Sequence, residues 1–169
     1  MSSTTATLHG PKHGRRFLGR FCSSALVLFL LLYFATDDDT ALLKRAVAFL
    51  ADGMLRAVGM RSSLEGVTIR VPGFSVSVVD QCTVVYESAL LVAAILAFPA
   101  TTRQRGTGII LGVVALSALN VVRVANLVLV GAWFPGWFPV LHLYVWQAII
   151  AGAVVAIWLG WIAWVGART

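Results

Sequence analysis

The stretch Gly106–Ala132, GTGIILGVVALSALNVVRVANLVLVGA, decides how this chain is read, because it is a long apolar run with a few neutral polar residues and a single charge at Arg123. A bilayer core of ~30 Å takes roughly 20 helical residues to cross, and this stretch exceeds that length. Three further stretches read the same way: Phe17–Ala35, Cys82–Phe98 and His142–Val165. Composition agrees: 59% of the 169 residues are hydrophobic, only 12% are charged, and the mean hydropathy is +0.88. A soluble globule of this size has too little interior to hide so much apolar surface, so the solvent is lipid. The expected fold is an all-α integral membrane protein, a four-transmembrane-helix bundle with an outer amphipathic helix and a short β-hairpin. Residues 1–16 form a basic tail and 17–169 a single membrane domain.

The net charge of +6 does not point to nucleic acid. Its basic residues cluster beside apolar runs, where they act as topology signals, instead of forming a stripe interleaved with aromatics. Lys12, Arg15, Arg16 and Arg20 precede the apolar run Phe21–Ala35 of the first span, Arg103 and Arg105 share the second connector, Arg168 follows the last run, and the connector Trp133–Leu141 carries no charge. Both termini are therefore expected inside the cytoplasmic (inner) membrane and the insert 36–81 outside. The first run resembles a secretory signal, but its exit, Tyr33-Phe34-Ala35-Thr36, lacks the small residue that cleavage requires, so an anchor helix is expected.

Within the insert, Leu43, Val47, Leu50, Met54 and Val58 recur at helical spacing, with Arg45, Asp52 and Arg56 opposite. The expectation is a helix lying on the outer surface. A fifth span would bury each of its charges at about 3 kcal/mol. Val67, Ile69 and Val71 then alternate with polar residues, as do Phe74, Val76 and Val78, around Pro72-Gly73. Folding there puts Val71 opposite Phe74, Ile69 opposite Val76 and Val67 opposite Val78 on one apolar face, with a type II turn. The six tryptophans read mostly as an interfacial belt: Trp133 and Trp137 at the outer rim, Trp158, Trp161 and Trp164 toward the inner end.

This topology sorts the reactive side chains. Cys22 falls at the inner end of the first span and Cys82 at the outer end of the second, too far apart for a disulfide. His9 and His13 belong to the inner tail, which leaves His142 on the same face as Cys82. In the third span Asn120, Arg123 and Asn126 step by three and form one polar stripe. An intramembrane arginine costs about 2.5 to 3.5 kcal/mol to insert and is a functional candidate. Glu87 lies at a similar depth, and a structural Glu87–Arg123 ion pair is the plain alternative. Asp80 is the expected N-cap of a helix opening at Cys82, where the macrodipole would favour thiolate. Buried cysteines are more often inert, and interfacial histidines more often bond a backbone carbonyl. A nucleophile, a proton shuttle and a charge stabiliser converging on one end of a bundle, however, match what acyl transfer needs. One cysteine and one histidine per face fall short of a zinc set, no phosphate loop or dinucleotide fingerprint is present, and no cofactor is expected. The rival function is a small multi-pass transporter using Glu87 and Arg123 as an intramembrane charge pair; a structural membrane subunit would leave Arg123 unexplained.

Taken together, Cys82 opening a span, Phe98-Pro99 closing it, Arg103 and Arg105, the Asn120-Val121-Val122-Arg123 stretch and the run His142-Leu143-Tyr144-Val145-Trp146-Gln147 resemble the exosortase/archaeosortase family, in particular its exosortase H group. The resemblance covers the chain beyond the basic tail. It implies a catalytic set of Cys82, Arg123 and His142 outside the cytoplasmic membrane. It also implies protein substrates with a C-terminal sorting signal: a short motif resembling Ile-Pro-Thr-Leu-x-x-Trp-Gly, a transmembrane helix and a basic tail. Members commonly carry glycine two residues after the nucleophile, where this chain has Val84.

Overall fold

A computed structural model of the chain describes residues 11–34 and 37–167. The long helices are α1 (Pro11–Tyr33), α2 (Asp37–Ala57), α3 (Val85–Ala97) and α4 (Thr102–Trp133). After α4 the chain continues almost without a break. A 3-10 turn at Pro135–Trp137 leads into α5 (Phe138–Val140), a π-helical segment at Leu141–Val145 and α6 (Trp146–Gly166). Between α2 and α3 lie β1 (Ser63–Glu65), β2 (Thr68–Val71) and β3 (Phe74–Ser77).

Among the described residues, three helical segments are long and apolar enough to cross a bilayer, Gly14–Tyr33, Thr102–Trp133 and Pro135–Gly166. The expected span Cys82–Phe98 is shorter than its apolar run. The 13 residues of α3 rise only about 20 Å, because a left-handed residue at Val84 interrupts the chain between Cys82 and the helix. The uncharged connector expected from Trp133 to Leu141 is likewise mostly helical, since Pro135 sits where its missing N–H costs nothing.

The 32 residues of α4 extend about 48 Å, well beyond a ~30 Å core, so the helix serves two layers. Its N-terminal half packs Leu116 with Leu91 and Ile95 of α3 and with Ile150, Val154, Trp161 and Val165 of α6. Its C-terminal half packs Val124, Ala125 and Val128 against Val47, Ala48, Ala51 and Leu55 of α2 and Ile69, Val71 and Val78 of the sheet. Cys82 belongs to that second cluster. α1 lies along α3, and its Leu18, Leu26, Val27 and Leu31 are all more than half exposed, as expected of a face that meets lipid.

The hairpin has the register read from its alternation: Val71↔Phe74 and Ile69↔Val76 are partners, and the Val78 N–H donates to the Val67 carbonyl at 3.0 Å. Gly73 at φ 80° supplies the positive angle that a Pro-Gly turn requires. β1 adds a third strand, pairing Leu64 with Ile69. Three residues are too few to show a period of two, so this strand escaped the sequence reading.

Two other expectations change. α2 is a helix whose contact face only overlaps the expected one: Val47 is buried together with Ala48, Ala51 and Leu55, while Leu50, Met54 and Val58 are exposed. Small side chains let the helix approach α4 closely, and close approach outweighs bulk in choosing the contact face. Asp52, expected on the polar face, is 5% exposed and bridges Arg56 at 2.8 Å. Trp161 is also no belt residue. It is buried across Gly108, where an added Cβ would lie 2.3 Å from its Nε1, and that Nε1 donates to the Gln104 carbonyl.

Gly131 plays the same part for the sheet, since a Cβ there would come within 2.1 Å of Phe74 Cε1. Gly131→Ala is expected to lift β3 from α4 and cost about 1–3 kcal/mol. Thermal unfolding in detergent, together with faster proteolysis within residues 63–77, would register the change, and an unaltered profile would refute this packing.

Candidate active site

Cys82 is held by the turn that carries it. Its N–H donates to the Val79 carbonyl at 2.8 Å, and the Thr83 N–H donates to the Asp80 carbonyl at 3.0 Å. The Thr83 hydroxyl donates to the same carbonyl at 2.6 Å. Asp80 is not the N-cap of α3, which begins at Val85 and has no side-chain cap. Its carboxylate instead accepts from the Thr40 hydroxyl at 2.6 Å and pairs with Lys44 at 3.2 Å, which ties the turn to α2. Thr40, Lys44 and Thr83 escaped the sequence reading. Contacts across 40 residues of sequence leave no periodic signal.

Val84 stands at φ 51°, ψ 25°, the left-handed region. A β-branched residue there is a genuine outlier, costing roughly 1–2 kcal/mol. This is the position where the resemblance leads to an expectation of glycine, and the backbone supplies the reason. Val84 also fills the core between α3, α4 and α6, so burial offsets part of the strain. Comparing two truncations isolates the backbone effect. Val84→Gly is expected to unfold about 1 kcal/mol harder than Val84→Ala, the reverse of the order inside a helix. Equal or inverted stabilities in a detergent unfolding series would remove the strain from the account.

Along α4 the stripe Asn120, Arg123 and Asn126 connects the layers. Asn120, fully buried, donates through Nδ2 to the Cys82 carbonyl at 2.5 Å. Asn126 accepts from Trp146 Nε1 at 3.0 Å, one turn beyond His142. Between them Arg123 is 4% exposed, and its Nη1 has no hydrogen-bond partner among the described residues.

His142 lies in the π-helical segment, a rare geometry that recurs at functional sites. Its ring stacks on Phe138 at 5.5 Å, and Phe138 meets Phe74 of β3 edge-on at 5.2 Å. The charge of Arg123 acts on the ring, and the buried Nδ1 has no partner among the described residues. Arg123 is thus near enough for its charge to act on His142, and Asn120 meets the Cys82 carbonyl. Glu87 does not join them. Among the described residues no ion pair links it to Arg123, and it falls in the first turn of α3. Both cysteines are free thiols, Cys22 exposed and Cys82 buried.

Long apolar helices around a buried polar seam, capped by a small sheet, define a polytopic helical-bundle membrane protein. The family model described as transmembrane exosortase (Exosortase_EpsH) matches residues 6–164. The chain belongs to that family. No curated protein and no solved structure matches it.

Proposed function

We propose that the chain is a membrane-embedded cysteine protease/transpeptidase that processes C-terminal sorting signals of exported proteins at the outer face of the cytoplasmic membrane. The observation that supports this most directly is the buried, unpartnered Nη1 of Arg123, on the stripe whose flanking asparagines tie down the Cys82 turn and the helix carrying His142. A fixed cation with an unused donor in a water-poor setting suits charge that develops during a reaction better than charge already present.

In this reading the Cys82 thiolate attacks the carbonyl carbon of the scissile peptide bond. Arg123 stabilises the oxyanion of the tetrahedral intermediate. His142 then protonates the departing amine, and the C–N bond breaks to leave a thioester on Cys82. Water or an amine acceptor attacks the thioester and frees the processed protein. Arg103 and Arg105 set the cytoplasmic end of α4, which puts its C-terminal half and the sheet outside. The substrates are membrane-anchored proteins that share the bilayer with the enzyme and present the motif just outside it. The transporter reading loses its central feature, since Glu87 and Arg123 form no ion pair.

The test is to co-express the chain with a reporter ending in Ile-Pro-Thr-Leu-x-x-Trp-Gly, a transmembrane helix and a basic tail. An enzyme–reporter adduct that hydroxylamine releases is the expected result. Processing of the reporter with no thiol-linked species at any stage would overturn the proposal.

A further inference from the structure

Asn120 is placed for more than holding a turn. Its Nδ2 donates to the Cys82 carbonyl, and that bond fixes the amide's orientation, because the reversed amide would set two acceptors against each other. Oδ1 is then the atom left over. It is buried in a fully buried residue and has no partner among the described residues. One turn away on the same side of α4, the Arg123 Nη1 donor is also buried and unpartnered. The stripe therefore offers one acceptor and one donor from residues whose backbones lie about 4.5 Å apart along the helix axis, and the first of them touches the residue that carries the thiol.

A ligand that satisfies both must bring a hydrogen-bond donor together with an acceptor, as a peptide does with its N–H and C=O. A carboxylate or a lipid ester brings only acceptors and would leave Oδ1 unsatisfied. In an extended peptide the N–H and C=O of one residue point to the same side, as in the hydrogen-bonded pairs of an antiparallel ladder. We infer that Asn120 is a substrate-binding residue: the residue whose carbonyl Cys82 attacks presents its oxygen to Arg123 and its own N–H to Asn120 Oδ1. The inference rests on the catalytic reading above. It makes the pocket selective for a secondary amide immediately N-terminal to the attacked carbonyl.

The test uses acyl probes and the full-length chain in detergent with Cys22→Ala, so that Cys82 is the only thiol. N-acetylglycine p-nitrophenyl ester carries the N–H, while the N-acetylsarcosine ester replaces it with N–CH3. In both, the Cys82 sulfur loses its proton and bonds the acyl carbon as the ester C–O bond breaks and p-nitrophenolate leaves. Rates are normalised to those with N-acetylcysteine. The N–H probe is expected to react about tenfold faster than the N-methyl probe. That ratio should fall to near one in Asn120→Ala and persist in Asn120→Asp, which keeps an acceptor. Disturbing only the Cys82 turn would slow both probes equally and leave the ratio unchanged, which overturns the inference. So does a ratio near one in the unsubstituted site, which decides the matter even if Asn120→Ala fails to accumulate. If p-nitrophenyl acetate acylates Cys82 no faster than it does N-acetylcysteine, the catalytic reading itself falls.

Discussion

Cys82→Ala is expected to lower processing of a co-expressed sorting-signal reporter by at least about a thousandfold while the protein still accumulates in the membrane. Losing the nucleophile removes the covalent route altogether, and what remains is binding and charge stabilisation without a bond-forming partner. The fold should tolerate the change. Cys82 contributes a small side chain to the cluster around Val124, Ala125 and Val128, and its carbonyl, the atom Asn120 holds, is unaffected by the substitution. Cys22→Ala serves as the matched control, because that thiol is exposed on α1 and should be dispensable. Immunoblots that follow precursor and product, scaled to the amount of each variant, provide the measurement. Wild-type processing by Cys82→Ala would end the thioester mechanism.

Arg123 should separate activity from stability. Arg123→Lys keeps the charge but loses the planar fork, and turnover is expected to fall about 10²–10³-fold, the usual cost of one oxyanion donor. Arg123→Met removes the charge from a site that is 4% exposed and has an unpartnered Nη1. An intramembrane charge costs about 2.5–3.5 kcal/mol to insert, and apolar replacements of buried ions are often neutral or stabilising. Arg123→Met should therefore be inactive yet unfold no more easily than the parent. Thermal unfolding in detergent alongside the reporter assay reads both quantities. A variant that is active, or clearly destabilised, would make Arg123 a structural cation instead.

Much of this architecture is legible in a linear reading, because lipid imposes a length rule and strands impose a period of two. Gly106–Ala132 could be little other than a long apolar helix, and Val67–Val78 around Pro72-Gly73 carried its pairing in its alternation. The candidate site was legible in part. Asn120, Arg123 and Asn126 were visible as a stripe because polar residues stand out on an apolar helix. Their partners were not, since the Cys82 carbonyl and Trp146 Nε1 come from other segments and leave no mark on spacing. Glu87 and Arg123 looked paired by depth alone, and no ion pair links them. Likewise α2 appeared to seat its bulkiest face, whereas Ala48 and Ala51 join Val47 and Leu55 in the contact.

By itself, then, the sequence determined that the chain lives in a membrane, which stretches are helical, how the hairpin pairs, and which side chains have chemistry to offer. These properties follow from local hydropathy and period, and each residue carries them wherever the chain goes. Tertiary structure alone decided that Val84 turns left-handed, that α4 serves two layers, that α2 clasps Asp80 through Thr40 and Lys44, and that Arg123 keeps a buried, unused donor. Such features arise from competition among distant segments for the same packing space and the same few polar partners, and no local pattern records its outcome.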